Sequence, residues 1–381
     1  MRKRIYPGLM NVKRDMKFTV KKDALLEGLA SVPNVVSSQT TLAILSNVLI
    51  EASNGLLRLT TTDLDLRVCR SVQAPVEQSG EITLPARHLL SIVRALPDGD
   101  LSFEANGQNV ATIRSGTLQY KLLGLAAEDF PPLSRPGESN VFTLPAKAFK
   151  EALQRTCYAA SEDDSRYALK GAFFSFKANK LRVVATDGRR LALAEIEVEF
   201  PVSSETEFIV PTKALNEITR LLEDDGELTL HVGEDQIAVE LEGVLLVSKL
   251  IAASFPNYQQ VIPTQPGSRV ELDRETFLAA VRRASLLADA KSRSIKLVFS
   301  PGNVEIVAVT PDVGEARESV TLKYQGGKRT VAFNPDYLVA PLKSLSPDDV
   351  SLDLMEDTSP GVIRADGTFL YVLMPLRVEN E

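Results

Sequence analysis

The feature that most constrains this chain is a spacing. Thr186-Asp187-Gly188-Arg189-Arg190 lies between two apolar runs, Val184-Ala185 and Leu191-Ala192-Leu193, and reads as a strand, a tight turn and a second strand. The signature recurs at Thr62-Asp63-Leu64-Asp65-Leu66-Arg67-Val68 and at Thr310-Pro311-Asp312-Val313-Gly314-Glu315-Ala316-Arg317. Asp63 and Asp187 are 124 residues apart, Asp187 and Asp312 are 125 apart. A period kept that closely implies three copies of one folding unit.

A second marker divides each copy in two. A strand running straight into a helix is expected at Phe18-Thr19-Val20, Leu84-Pro85-Ala86-Arg87, Leu144-Pro145-Ala146-Lys147, Val210-Pro211-Thr212-Lys213, Val270-Glu271-Leu272-Asp273 and Phe333-Asn334-Pro335-Asp336, with proline where a first helical turn accepts it. In the first copy the helix covers Lys22 to Val32, with Ala24, Leu25, Gly28, Leu29 and Val32 at helical spacing. Alternating strands follow over Asn47 to Ala52, Gly55 to Thr61, Leu64 to Val72 and Gly80 to Leu84, then a helix to about Ala95, then four more strands up to Asp129-Phe130-Pro131. Each copy also closes alike, at Phe130-Pro131, Phe255-Pro256 and Met374-Pro375. The expected fold is therefore α+β, with three similar domains, each made of two strand-helix-strands half-repeats. Linkers around Ser134-Arg135-Pro136-Gly137 and Pro263-Thr264-Gln265-Pro266-Gly267-Ser268 place the domains at 16-138, 139-267 and 268-381. Residues 1-15, rich in Lys and Arg and without an apolar segment, read as a disordered extension or as a basic arm for nucleic acid.

Composition narrows the function. Two cysteines, Cys69 and Cys157, are expected to be buried, reduced thiols of a cytoplasmic protein, and two histidines, His88 and His231, cannot build a usual His/Cys metal site. No apolar run is long enough to cross a membrane as a helix. No cofactor or catalytic motif is present in the sequence. The repeating Asp63, Asp187 and Asp312 fit a structural turn better than a triplicated catalytic group, so no enzymatic activity is expected.

Charge is unevenly distributed. The chain carries a net -7, yet the six helical segments together carry +6. Basic residues can simply occupy solvated helix faces. Shared by related helices in an acidic protein, they also suit non-specific attraction to a phosphate backbone. Six helices about 10 Å across would close a ring with a hole of only ~9 Å, narrower than a major groove of ~12 Å, whereas twelve leave ~28 Å. A ring around duplex DNA would thus need two chains.

From Met16-Lys17-Phe18-Thr19-Val20 to the last strand, the sequence resembles the bacterial DNA polymerase III beta subunit family of sliding clamps. Ala185-Thr186-Asp187-Gly188-Arg189-Arg190-Leu191-Ala192 and Val372-Leu373-Met374-Pro375-Leu376-Arg377 carry the likeness most specifically. The resemblance implies two chains in a closed ring with helices lining the hole, encircling double-stranded DNA without sequence preference. It also implies a cytoplasmic processivity factor, free of cofactor, metal and membrane, that tethers the DNA polymerase III alpha subunit, the clamp loader and repair polymerases through short linear peptides.

Site residues carry over where the motifs match. The peptide groove between domains two and three would comprise Leu169, Thr186, Gly188, Arg189, Arg190, Leu191, Pro256, Val261, Tyr337, Val372, Met374, Pro375, Leu376 and Arg377. Apolar walls suit a leucine or phenylalanine anchor, and arginine and backbone groups fix its orientation. Arg189 stands where the family most often has histidine. Arg166-Tyr167 matches a DNA-touching loop, although Ala168 replaces a second aromatic residue and Ser37-Ser38-Gln39 lacks an arginine found in some relatives. Charge adds Arg87, Arg94, Lys147, Arg155, Lys213, Arg282 and Arg283 as DNA contacts. At the dimer interface, Tyr120 and Leu122 on an edge strand would meet Leu286 and Leu287 of the partner, unless those leucines belong to an ordinary helix core. The other reading is a repeat scaffold that binds proteins without encircling DNA.

Overall fold

The structure, a computed structural model, describes residues 15-32, 42-132, 136-137, 140-265, 267-289, 291-355 and 359-377. The basic extension up to residue 14, the Ser37-Ser38-Gln39 loop, and residues Ser134, Arg135 and Pro266 of the two linkers lie outside the described residues. Six α-helices are present among the described residues: α1 Lys22–Ser31, α2 Ala86–Ala95, α3 Ala146–Thr156, α4 Thr212–Leu221, α5 Arg274–Ser285 and α6 Pro335–Ser344. Each follows directly on a strand.

The helix starts show why the strand can run straight in. Pro85 and Pro145 are the last strand residues and occupy the N-cap, so their missing N–H removes a donor that nothing there would satisfy. The prolines thus sit one position earlier than a first-turn placement, except Pro335, which opens α6. Side chains cap the last two helices: Asp273 accepts from Thr276 N–H at 2.8 Å and Asn334 from Asp336 N–H at 2.9 Å.

Contacts divide the chain into two compact units. One contains the chain to Leu144 with Arg220–Lys249, the other Pro145–Thr219 with Leu250 onward. The first holds a five-stranded sheet ordered Val76–Gln78, Met16–Lys21, Asp100–Ala105, Val110–Ser115 and Leu118–Leu123. Its eight-stranded sheet runs Asn140–Pro145, Glu227–Val232, Gln236–Leu241, Val244–Lys249, Leu66–Gln73, Leu56–Thr62, Asn47–Ser53 and Gly80–Pro85. The second unit has an eight-stranded sheet of Thr206–Pro211, Gly171–Lys177, Lys180–Thr186, Arg190–Glu197, Phe369–Leu373, Gly361–Ala365, Asp349–Leu354 and Ser268–Asp273. Its four-stranded sheet runs Gly314–Thr321, Asn303–Thr310, Ile295–Ser300 and Arg329–Phe333.

Neither eight-stranded sheet belongs to one copy of the repeat. Val244–Lys249 pairs with Leu66–Gln73, placing Val247 opposite Arg67, and Phe369–Leu373 pairs with Arg190–Glu197, placing Val372 opposite Leu191. The strands after the first and middle turns are thereby paired on both sides, whereas Gly314–Thr321 after the third turn is the edge of its sheet.

Three expectations change. After α2 there are three strands rather than four, because Leu125 makes only an isolated bridge to Thr83. Leu64 lies in the turn, not in a strand, with φ of 82°. Cys69 and Cys157 form no disulfide, and each residue is partly exposed rather than buried; the Cys157 sulfur itself is enclosed, which pushes its thiol up to about 12.

Candidate partner-binding groove and nucleic-acid surface

The Thr186-to-Arg190 turn is closed by its own side chains. Asp187 Oδ1 accepts from the N–H of Arg189 at 2.8 Å and of Arg190 at 3.0 Å. Thr186 Oγ1 donates to Arg190 O at 2.6 Å and accepts from Gly188 N–H at 3.1 Å. Such side-chain turns fix the backbone without a long ladder. Asp63 and Thr62 make the same four bonds in the first copy, at 3.0 and 2.7 Å from Asp65 and Leu66 N–H and at 3.0 and 3.1 Å for the hydroxyl. The third copy differs: Asp312 takes φ of 64° and the turn closes by Val313 N–H on Thr310 O at 3.1 Å.

Arg190 locks the middle turn to its neighbours. Its Nε donates to Asp187 Oδ2 at 3.0 Å, its Nη2 to Tyr158 O at 2.7 Å, and its guanidinium lies over the Tyr337 ring at 4.4 Å. Tyr371 Oη donates to Tyr337 O at 2.8 Å, and burial pushes the Tyr371 phenol well above its ordinary value, so it stays a neutral donor. Met374 N–H donates to Arg189 O at 3.0 Å and Leu376 N–H to Ala332 O at 2.8 Å, which draws the chain after Phe369–Leu373 alongside the turn. Tyr158 carries no sequence marker for this role.

The groove residues divide by exposure. Leu191 and Val372 are buried in a cluster with Val184 and Leu193 that Phe255, Tyr258 and Ile262 cover. Met374 and Val261 are 42% and 48% exposed and line one recess of about 820 Å³ with Gln260, Arg329, Leu354 and Met355. Pro256, Gly188, Arg189 and Arg377 are exposed; Leu169, Tyr337, Pro375 and Leu376 are half-buried; Thr186 is buried. Of the sequence-selected groove residues, Met374 and Val261 line that recess and the others do not; an exposed methionine and valine beside a guanidinium suit the capture of an apolar peptide anchor. Arg329 and Met355 were missed because they sit on strand ends outside either motif.

Of the charge-selected residues, Arg87 and Arg94 of α2, Lys147 of α3, Lys213 of α4, and Arg282 of α5 are exposed. Arg155 is not available to a ligand. It is 8% exposed, with Nη1 on Asp366 Oδ2 at 2.8 Å and Nη2 3.7 Å from Glu151 Oε2, so its charge is spent inside the fold. Arg283 is exposed but paired with Glu318. Arg166 is exposed yet donates to Asp187 O at 2.5 Å, tying the Arg166-to-Leu169 loop to the groove turn, while Tyr167 is 57% exposed. Leu118–Leu123 is an edge strand with Tyr120 at 38%, Leu122 half-buried and Leu123 at 75% exposure. Leu286 is 82% exposed and Leu287 half-buried, so neither sits in an ordinary helix core. Among the described residues no His/Cys/Asp/Glu group could hold a metal ion, and no helix is long and apolar enough to cross a membrane.

A two-halved strand-helix-strands unit repeated three times, with sheets continued from copy to copy and a side-chain-locked turn beside the recess at Met374, defines a protein of the DNA-clamp class. Sequence models of the DNA polymerase III beta subunit match it in series: the N-terminal domain over residues 16–134, the central domain over 143–257 and the C-terminal domain over 259–377. The chain belongs to the DNA polymerase III beta subunit family. It is 34% identical over 366 residues to the beta sliding clamp of Chlamydia muridarum, covering 96% of this chain and 100% of that protein. To the beta sliding clamp of Escherichia coli K12 it is 33% identical over 368 residues, at 95% and 100% coverage. The crystal structure of the Pseudomonas aeruginosa DnaN sliding clamp bound to griselimycin superposes with a TM-score of 0.91 at 34% identity, covering 95% of this chain and 100% of that one.

Proposed function

We propose that this chain is a non-catalytic DNA sliding clamp that closes around duplex DNA as a homodimer and tethers a replicative polymerase and other partners through short peptides. The carrying observation is the groove: Met374 and Val261 stand exposed beside a turn that Asp187, Thr186 and Arg190 hold rigid. Rigid elements under an adaptable apolar lip let one site accept several related peptides. On this reading the DNA polymerase III alpha subunit, the clamp loader and repair polymerases compete for that site in the cytoplasm.

The ring reading draws on two surfaces. Edge strand Leu118–Leu123 presents Tyr120 and Leu123, and Leu286 extends past the end of α5; each is an unpartnered apolar surface that a second copy would cover. Arg87, Arg94, Lys147, Lys213 and Arg282 would then face the phosphate backbone, with Tyr167 nearby. Domain boundaries at 138/139 and 267/268 accompany the proposal. Retention on circular DNA that is lost on linearisation tests encirclement; equal retention on both would contradict it. Light scattering at micromolar concentration should give twice the chain mass, and a monomer mass would exclude the ring.

A further inference from the structure

The sheet face that carries the groove does not end at the groove. Residues two apart on a strand share a face. Thr186, Val184 and Arg182 therefore line up with Leu191, Leu193 and Glu195 on the next strand, their cross-strand partners. Val372 and Leu370 continue the rows opposite Leu191 and Leu193. The middle of this face is roofed by Phe255, Tyr258 and Ile262, which pack on Val184, Leu193, Leu191 and Val372.

Beyond the roof the face opens again. A recess of about 330 Å³ has Leu193, Leu370, Tyr258 and Ile262 as apolar walls and Arg182, Glu195 and Arg364 as its polar rim. Ile262 lines both this recess and the one at Met374. Gln259 and Gln260, neighbours in the single turn Tyr258–Val261, face one recess each.

The rim has surplus positive charge. Glu195 is met twice, by Arg182 at 2.6 Å and Lys180 at 3.0 Å. Asp353, 5% exposed, is met by Arg269 at 2.8 and 3.1 Å and again by Arg364 Nε at 3.3 Å. Of these groups Arg182, Arg364 and Glu195 line the hollow itself, two cations to one carboxylate. A carboxylate next to an aliphatic side chain is the ligand chemistry that complements this.

We propose that this recess is a second docking point for the polypeptide that occupies the groove, taking an apolar residue and adjacent carboxylates from the segment flanking its anchor. Continuity fixes the occupant. From Thr186 to Arg182 is four strand residues, about 13 Å, which an extended peptide spans in roughly four to five residues. The inference rests on the groove reading, and the experiment separates the two.

Fluorescence anisotropy on the full chain would compare a labelled leucine/phenylalanine-bearing core peptide with versions extended at either end by about six residues ending Leu-Asp-Glu or Leu-Asn-Gln. One acidic extension should bind about five- to tenfold more tightly than the core. Its neutral counterpart should lose most of that gain, as should Arg364→Glu, which must leave core affinity unchanged. If the core binds and no acidic extension adds affinity, the second docking point is refuted while the groove stands. If Arg364→Glu weakens core and extended peptides alike, the arginine acts on the groove and the inference fails. If the core itself does not bind, the groove reading falls and takes the inference with it.

Discussion

Arg190→Ala tests whether the groove is built around one guanidinium. The side chain is 14% exposed, donates to Asp187 Oδ2 at 3.0 Å and Tyr158 O at 2.7 Å, and covers the Tyr337 ring at 4.4 Å. Two charge-assisted hydrogen bonds net about 1 kcal/mol or more each, and a partly desolvated cation–π contact about 1 kcal/mol. Truncation also leaves the Asp187 carboxylate, itself 15% exposed, without its side-chain partner. Together these give a loss of about 3–4 kcal/mol, which at ~2–4 °C per kcal/mol for a unit of this size lowers the melting temperature by about 6–16 °C. Arg190→Lys keeps the charge but cannot reach both acceptors while stacking, so it should recover less than half of the loss. Differential scanning calorimetry on both variants measures this. A melting temperature within about 2 °C of wild type for Arg190→Ala would mean that the Asp187 and Thr186 bonds hold the turn unaided.

Arg155→Ala should cost about 1–2 kcal/mol, because Asp366 is partly exposed and keeps its bonds from Thr368, yet leave retention on circular DNA unchanged, whereas Arg87→Ala with Arg94→Ala should spare stability and lower the slope of log K against log salt by about one per lost phosphate contact. Glu195 sits below the ordinary carboxylate range: burial works to raise it, but hydrogen bonds from Arg182 and Lys180 outweigh that. Its stabilising contribution is complete above the unfolded value of about 4.3 and lost as pH falls through the lower folded value, so urea titrations between about pH 5 and 3 should show a shallower loss for Glu195→Gln; parallel curves would refute the coupling. Gly188→Ala should cost about 1 kcal/mol for its left-handed φ and additionally free the Arg166 loop, seen as faster proteolysis around Ser165; an unchanged cleavage rate would contradict the link.

Much of the fold was legible because its markers are backbone requirements. Proline at a strand end, an aspartate that bonds two residues ahead and an apolar period of two are local constraints, and they fall wherever the unit recurs. The pairing of Val372 with Leu191 across two copies was not legible, because strand partners distant in the chain leave no local signature. For the same reason charge alone put Arg155 on a surface. Its partner Asp366 is far along the chain, and burial in an ion pair depends on what packs over a helix, not on the helix's own residues. Tyr158 was missed because its contribution to the groove is a backbone carbonyl, which every residue has.

The two bond-for-bond equivalent turns show what the groove required beyond the shared scaffold. Gly188 has φ of 84°, and left-handed backbone is the usual reason for a glycine. Leu64 holds φ of 82° at the corresponding place with the same four bonds, so the backbone angle tolerates a side chain, at about 1 kcal/mol. What differs is the space. A Cβ on Gly188 would lie 2.8 Å from Arg166 Nη1, and that nitrogen is the one that donates to Asp187 O. A side chain at 188 would displace the Arg166 guanidinium from that bond. The third turn is closed by a different bond with Val313 at its tip, and the segment after α5 reaches it another way, Thr310 Oγ1 donating to Leu287 O at 2.8 Å. On the proposed reading, the middle copy differs from the first by the Arg166 side chain seated on its turn, not by a change in the turn's own bonds.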